Sequence, residues 1–227
     1  MIPLKDDNPT SNRPLVTYFL IGLCVVVFFM QLGSQSYKTG QLFYSYGLIP
    51  SVLMGHDQLP MDLYAVPAFL TIFSSMFMHG GWLHLIGNIW YMKIFADNIE
   101  DNLGQRNFII FYILCGIGAA MAQVLMDTHS QVPMIGASGA IGGVLGAYLI
   151  NHPNAKVLVL IPYFIITIIR IRALYVLGFW FILQFISSGG GVAYAAHIGG
   201  FITGMILILF FNKKTKNKSK VVKGPWG

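Results

Sequence analysis

Ala196-His197-Ile198-Gly199-Gly200-Phe201-Ile202-Thr203-Gly204-Met205-Ile206-Leu207-Ile208-Leu209-Phe210-Phe211-Asn212-Lys213-Lys214 decides the fold. A long apolar run ends against a block of lysines, as a membrane span does at its stop-transfer flank. Its first turn carries a histidine, and its upper half carries glycines at close spacing. The rest of the chain has the same character, with 56% hydrophobic residues and only 10% charged among 227. Soluble domains carry about 25% charged residues, so a chain this poor in charge cannot cover a water-facing exterior. The net charge of +6 lies largely in Lys213, Lys214, Lys216, Lys218, Lys220 and Lys223. Their place after a span speaks for a membrane flank and against nucleic acid.

Working back from that stretch, five further apolar runs have the length or composition of spans. They cover about Leu15–Leu32, Phe69–Phe95, Phe108–Met126, Ile135–Ile150 and Ala173–Ile186, and the last span starts near Val192 and ends at Phe211. The expected fold is an all-α polytopic bundle of six transmembrane helices. Residues 1–14 form a cytoplasmic segment, 15–211 the membrane domain and 212–227 a basic cytoplasmic tail. The polar opening Met1–Thr10 lacks a basic region leading to a cleavage site, so the first run reads as a retained span. The apolar stretch Val157–Ile169 is short and flanked by Lys156 and Arg170, which suits a re-entrant or interfacial segment. With both termini inside, Lys5, Arg13, Lys93, Arg106, Lys156, Arg170, Arg172 and the six tail lysines share the cytoplasmic side, and only Lys38 lies outside. That asymmetry fixes the orientation of a multi-pass cell-membrane protein. The outer segment Gly33–Pro67, rich in aromatic residues, is expected to lie along the membrane surface, and Asp97–Asn107 to form a short polar inner loop.

Polar side chains inside spans are costly and mark function or internal packing. Here His79, His84 and Asn88 lie in the second span, Ser138 opens the fourth and His197 opens the sixth. These three spans enter from the same face, so Ser138 and His197 sit at matched depth, roughly 5–8 Å below the outer end at 1.5 Å per residue. Gly142 lies one turn below Ser138, and Gly200 and Gly204 lie below His197. Small residues at this spacing let two helix backbones approach, which brings a hydroxyl and an imidazole within reach of a hydrogen bond. Each residue alone reads as packing; together they read as a nucleophile and its base. Cys24 and Cys115 lie in apolar runs and offer neither a disulfide framework nor metal spacing.

His79-Gly80-Gly81-Trp82-Leu83-His84-Leu85-Ile86-Gly87-Asn88, Gly136-Ala137-Ser138-Gly139 and Ala196-His197-Ile198-Gly199-Gly200 occur in one order on matching spans. In this the chain resembles the rhomboid intramembrane serine proteases over nearly its whole length. Its opening, Met1-Ile2-Pro3-Leu4 followed by Asp6-Asp7-Asn8-Pro9-Thr10, is similar to bacterial members. The resemblance implies a Ser138–His197 dyad without an acid, and oxyanion stabilisation by the Ser138 backbone N–H with His84 and Asn88. It implies supporting roles for His79, Gly136 and Gly139. No cofactor or metal is implied, and the partners are membrane lipid and transmembrane protein substrates, cut near their outer end with small residues before the cut. Two family features are missing. The aromatic residue that stacks on the base one turn after the nucleophile in some members is replaced by Gly142, leaving Tyr194 or Tyr148 to orient His197. The outer-loop Trp-Arg pair is replaced by Leu70-Thr71. Phe179, Trp180 and Phe181 of the fifth span are expected to form a side gate against the second.

Other chemistries fit poorly. There is no His-Glu-x-x-His for a zinc protease, no pair of buried aspartates in the expected span interiors, and Ala140 where a hydrolase elbow needs glycine. A proton-relay transporter would place its polar cluster at the midplane. The remaining alternative is a catalytically silent rhomboid-like protein that binds and escorts membrane helices.

Overall fold

The computed structural model describes residues 1–35, 40–162, 166–186 and 193–219, without the side chains of residue 166 and residues 213–219. Lys38, Lys220, Lys223 and the expected start of the last span at Val192 lie outside the described residues.

Six longer helices carry the fold: α1 Leu15–Gly33, α2 Trp82–Leu103, α3 Gln105–Met126, α4 Ser138–Asn151, α5 Ala173–Ile186 and α6 Tyr194–Ser219. Three of them, α1, α3 and the Tyr194–Asn212 part of α6, are long and apolar enough to cross a membrane. A fourth is reached if Ala68–Phe77 and Trp82–Leu103 count as one span, although the chain bends by 80° between them. The helices α4 and α5 are apolar but have 14 residues each, about 21 Å of rise. The protein is therefore a mostly helical membrane protein, and four spans at most satisfy the length criterion among the described residues, where the sequence suggests six.

Three expectations change. First, the fold is not all-α. Strand β1 Ile2–Asp6 pairs antiparallel with β2 Lys156–Pro162, which pairs antiparallel with β3 Ile166–Arg172. The described parts of the stretch Val157–Ile169, residues 157–162 and 166–169, are strand, and the apolarity serves β2: Val157 and Val159 are buried in the main core. Second, the expected span Phe69–Phe95 is broken. His79 sits in the break, outside any helix, and α2 continues past Phe95 to Leu103. Third, Asp97–Asn107 is no inner loop. It is the end of α2 and the start of α3, parted at Gly104, whose φ of 73° lies in the left-handed region that glycine tolerates best. Among the described residues of the segment expected outside, there are two short helices, Gln41–Tyr46 and Pro50–Leu53, and the Leu48–Met134 bridge joins it to the chain before α4.

The end of α2 organises this side of the molecule. The Glu100 carboxyl group, 3% exposed, accepts hydrogen bonds from Val16 N, Thr17 N and Thr17 Oγ1 at 2.8–2.9 Å. It satisfies first-turn N–H groups of α1 that have no partner within their own helix. Asp101 accepts from Ser11 N, Asn12 N and Asn12 Nδ2, in the chain leading into α1. On the other flank, Tyr148 of α4 donates to Asp6 Oδ2 at 2.6 Å, and Trp90 Nε1 donates to the Pro3 carbonyl at 2.6 Å. These bonds tie β1 to the helices.

At the centre, α4 packs on α6 with backbone against backbone. A Cβ added at Gly200 would lie 1.9 Å from the Gly139 carbonyl oxygen, and one at Gly204 would lie 1.9 Å from that of Gly143. At Gly142 it would stand 3.0 Å from the His197 oxygen, and at Gly146 only 2.1 Å from that of Phe201. The α3 helix closes the other side: Gly139 faces Ala119, and Gly143 faces Cys115. Gly204→Ala should therefore lower stability by about 1–3 kcal/mol through overpacking, read as a lower midpoint of thermal unfolding in detergent. The Asp6 carboxyl is pushed above its ordinary value of 3.8, chiefly by burial and against the Tyr148 hydrogen bond. A raised folded value means that its contribution is fully present below the unfolded value and is lost as pH rises through the folded one. Asp6→Asn, which keeps an acceptor for Tyr148, should abolish that component of the fall in stability above about pH 4, whereas Asp6→Ala should lower stability at every pH.

Candidate active site

Ser138 is the first residue of α4, and His197 lies in the first turn of α6. The glycine contacts between the two helices leave Ser138 Oγ 2.9 Å from His197 Nε2, within ordinary hydrogen-bond range. At a helix start, the N–H groups of the first turn have no intrahelical acceptor, so α4 presents donors beside the hydroxyl.

His84 approaches from α2. Its Nδ1 accepts from Gly80 N at 3.4 Å, which leaves Nε2 to carry the proton. That nitrogen lies 2.6 Å from where a Cβ at Gly136 would stand. Gly136 itself has φ +119°, a conformation that L side chains rarely adopt. Its N–H donates to the Ser75 carbonyl at 2.8 Å, which holds the turn before Ser138. Glycine is required here twice over, by backbone and by space. Asn88 lies four residues after His84, on the same helical face. It is 7% exposed, and its amide nitrogen has no hydrogen-bond partner.

His79 is fully buried beneath this group. Its backbone N–H donates to Gln31 Oε1 and its carbonyl accepts from Gln31 Nε2, both at 3.1 Å. Its Nδ1 is 3.2 Å from the Phe77 carbonyl, and its ring meets the His84 ring edge-on at 5.1 Å. The break in the second span is thereby pinned to α1, with Phe28 and Phe29 packed edge-on against Trp82.

Gln184 was not singled out from sequence, and Trp180 was expected only as a gate residue, yet both meet His197. Its Nδ1 lies 2.7 Å from Gln184 Oε1 on α5, and the Trp180 ring lies 5.7 Å from its own at 36°. Tyr148, one expected orienting residue, points instead at Asp6. Tyr194, the other, meets the imidazole edge-on at 6.3 Å. Gln184 carried a signal, being the sole amide in the otherwise apolar and aromatic run Ala173–Ile186; a polar group in such a run needs a partner. Of the expected gate residues, Trp180 and Phe181 turn toward α6 and stack on Phe201, while Phe179 is exposed.

A cavity of about 20 Å³ lies beside Ser138, bounded by Met76, Ile135, Gly136, Ala140, Ala193 and Ala196. A larger cleft of about 440 Å³ lies at the opposite end of the helices, between Arg13, Glu100, Gly104 and Arg106. It has no nucleophile.

The rhomboid-domain profile matches residues 66–214, more than half of the chain, and spans every one of these site residues on α2, α4, α5 and α6. The chain belongs to the rhomboid family. Similar rhomboid proteins include RHOMBOID-like protein 5 of Arabidopsis thaliana, 30% identical over 60% of this chain and 42% of that protein. Rhomboid protease GluP of Bacillus subtilis (strain 168) is 29% identical over 86% of this chain and 34% of its own length. Rhomboid-like protease 3 of Toxoplasma gondii is 26% identical over 66% of this chain and 54% of that protein. The chain thus spans about half the length, or less, of these rhomboid relatives. Gly136→Ala should displace His84 and strain the turn, lowering stability by about 1–3 kcal/mol, which thermal unfolding in detergent would register.

Proposed function

We propose that this rhomboid is an intramembrane serine endopeptidase that cleaves transmembrane helices of membrane proteins near their outer end. The observation that carries the reading is the 2.9 Å contact between Ser138 Oγ and His197 Nε2, made at the starts of two apolar helices. Ser138 attacks the scissile carbonyl while His197 Nε2 takes its proton, then returns it to the leaving amine. Water deacylates Ser138 by the same route in reverse. The developing oxyanion is held by the Ser138 backbone N–H, His84 Nε2–H and the unpartnered Asn88 amide. Donors fixed in advance in a site shielded from water stabilise charge at little reorganisation cost.

Six membrane-inserted helices remain the topology we favour, with the 14-residue α4 and α5 completing the bundle. Their shortness suits a site that must admit water from one face. Lys5, Arg13, Arg106, Lys156, Arg170 and Arg172 gather where β1, the hairpin and the α2–α3 junction meet, away from Ser138. This supports an inner face at that end, with both termini cytoplasmic in a cell membrane. The 20 Å³ cavity beside the nucleophile, room for about one water where roughly 10–15 Å³ is needed to hold one, favours a small side chain before the cut.

Purified protein should cleave a reporter transmembrane substrate, and Ser138→Ala should lose about 10³-fold or more. A fluorophosphonate should label the protein only when Ser138 and His197 are both intact. Asn88→Ala should lower kcat by about 10²–10³-fold. Equal cleavage by the parent protein and Ser138→Ala ends the serine reading, and cleavage by neither, with the reporter still bound, points to an escort for membrane helices.

A further inference from the structure

The amide of Gln184 makes two hydrogen bonds, and together they determine its orientation. Its Nε2 donates to the Trp180 carbonyl one turn back at 2.8 Å. Its Oε1 therefore faces His197 Nδ1, 2.7 Å away. Reversing the amide would set an oxygen against a carbonyl oxygen and an NH₂ against the ring, losing the Trp180 bond. Gln184 is only 9% exposed, so water does not readily replace either partner.

We infer that Gln184 is a positioning residue for the base: it fixes His197 in the Nδ1–H tautomer and so leaves Nε2 free to accept the Ser138 proton. An amide oxygen only accepts, so Nδ1 must carry the hydrogen in this contact. A neutral imidazole has one N–H, and Nε2 is then the acceptor facing Ser138 Oγ at 2.9 Å. When the serine proton reaches Nε2, the Nδ1–H bond to Gln184 persists and strengthens as the ring gains charge. The carboxylate of a soluble triad fixes the tautomer in the same way, but at lipid depth a charged partner is expensive and a neutral amide is not. Trp180, one turn earlier on α5, lies against the imidazole at 5.7 Å and limits rotation of the ring.

The inference rests on the protease reading, and its test separates the two. Nitrogen-15 spectra of histidine-labelled protein should show His197 with a pyrrole-type Nδ1 and a pyridine-type Nε2. Gln184→Leu should lose this single tautomer and lower kcat by at least about tenfold, within the range that general-base catalysis supplies. KM and the midpoint of thermal unfolding should stay near those of the parent protein. Gln184→Glu, which keeps an oxygen at the same reach, should recover most of the lost kcat. The inference is overturned if the parent protein carries its proton on Nε2, if Gln184→Leu keeps one tautomer and kcat within about twofold, or if the Glu variant is as impaired as the Leu variant. Failure of the protease reading shows up elsewhere, as cleavage that survives Ser138→Ala. The spectra still decide the tautomer in that case.

Discussion

The structure depends on the contact of α4 with α6, where backbone meets backbone. Carbonyl oxygens of Gly139 and Gly143 occupy the volume that side chains at Gly200 and Gly204 would need. In a lipid environment, association gains little from apolar burial between helices, and close van der Waals packing supplies the attraction instead. The same contact sets distance at the top of the interface. Ser138 is one residue before Gly139, and His197 three before Gly200, so the separation of their side chains follows from the separation of the helix axes. A methyl group between these helices would act on stability and on the Ser138–His197 hydrogen bond together. Gly139 also faces Ala119 of α3, which leaves α4 no room to retreat from an enlarged α6.

The opposite end of the molecule is built on different physics. There, polar groups are plentiful and the backbone leaves its helices. Glu100 and Asp101 collect the N–H groups where the chain enters α1. Asp7 binds the hairpin through Lys156 N at 2.7 Å and through its own N–H to the Lys156 carbonyl at 2.9 Å. The sheet uses the first residues of the chain to close a hairpin that separates α4 from α5. This anchors the N-terminal end of α5, where Ala173 N donates to the Ala155 carbonyl and Leu174 N to that of Pro153. The far end of α5 carries Gln184.

Much of this was legible in the sequence, for reasons that differ residue by residue. Ser138, His197, His84 and Asn88 stood out because each is polar within an apolar run, and the glycines stood out by their spacing. Leu15–Leu32, Phe108–Met126 and Ala173–Ile186 are largely apolar runs, and the helices Leu15–Gly33, Gln105–Met126 and Ala173–Ile186 end within a few residues of them. The sheet was hidden. Val157–Ile161 is apolar at consecutive positions, which periodicity cannot tell from a short buried helix, and its partner Ile2–Asp6 has little pattern of its own. The break near His79 was hidden as well, since Met78, Gly80 and Gly81 do not lower the apolar average of a window that includes Phe69–Phe77 and Leu85–Ile89. Gln184 was legible in kind but not in address: its position predicts that it has a partner, and only the packing of α5 on α6 says which.

Buried polar atoms are normally paired, because an orphan costs about 1–3 kcal/mol. Around Ser138 nearly every group obeys: His79 through Phe77 and Gln31, Gly136 through Ser75, His197 through Gln184. Among the described residues the site's unpaired side-chain atoms are His79 Nε2 and Asn88 Nδ2. A donor left idle in the resting protein is a cost to folding that only a later acceptor can offset. In the proposed reaction that acceptor is the oxyanion, which carries more charge than any ground-state carbonyl and so gains more from Asn88 than the substrate does. An amide already paired would have to break a bond at the moment of attack, and its gain would shrink by that amount. The orphaned amide and the close helix contact thus have the same logic in the proposed reaction: the fold bears a cost in advance, so that the transition state meets groups already in place.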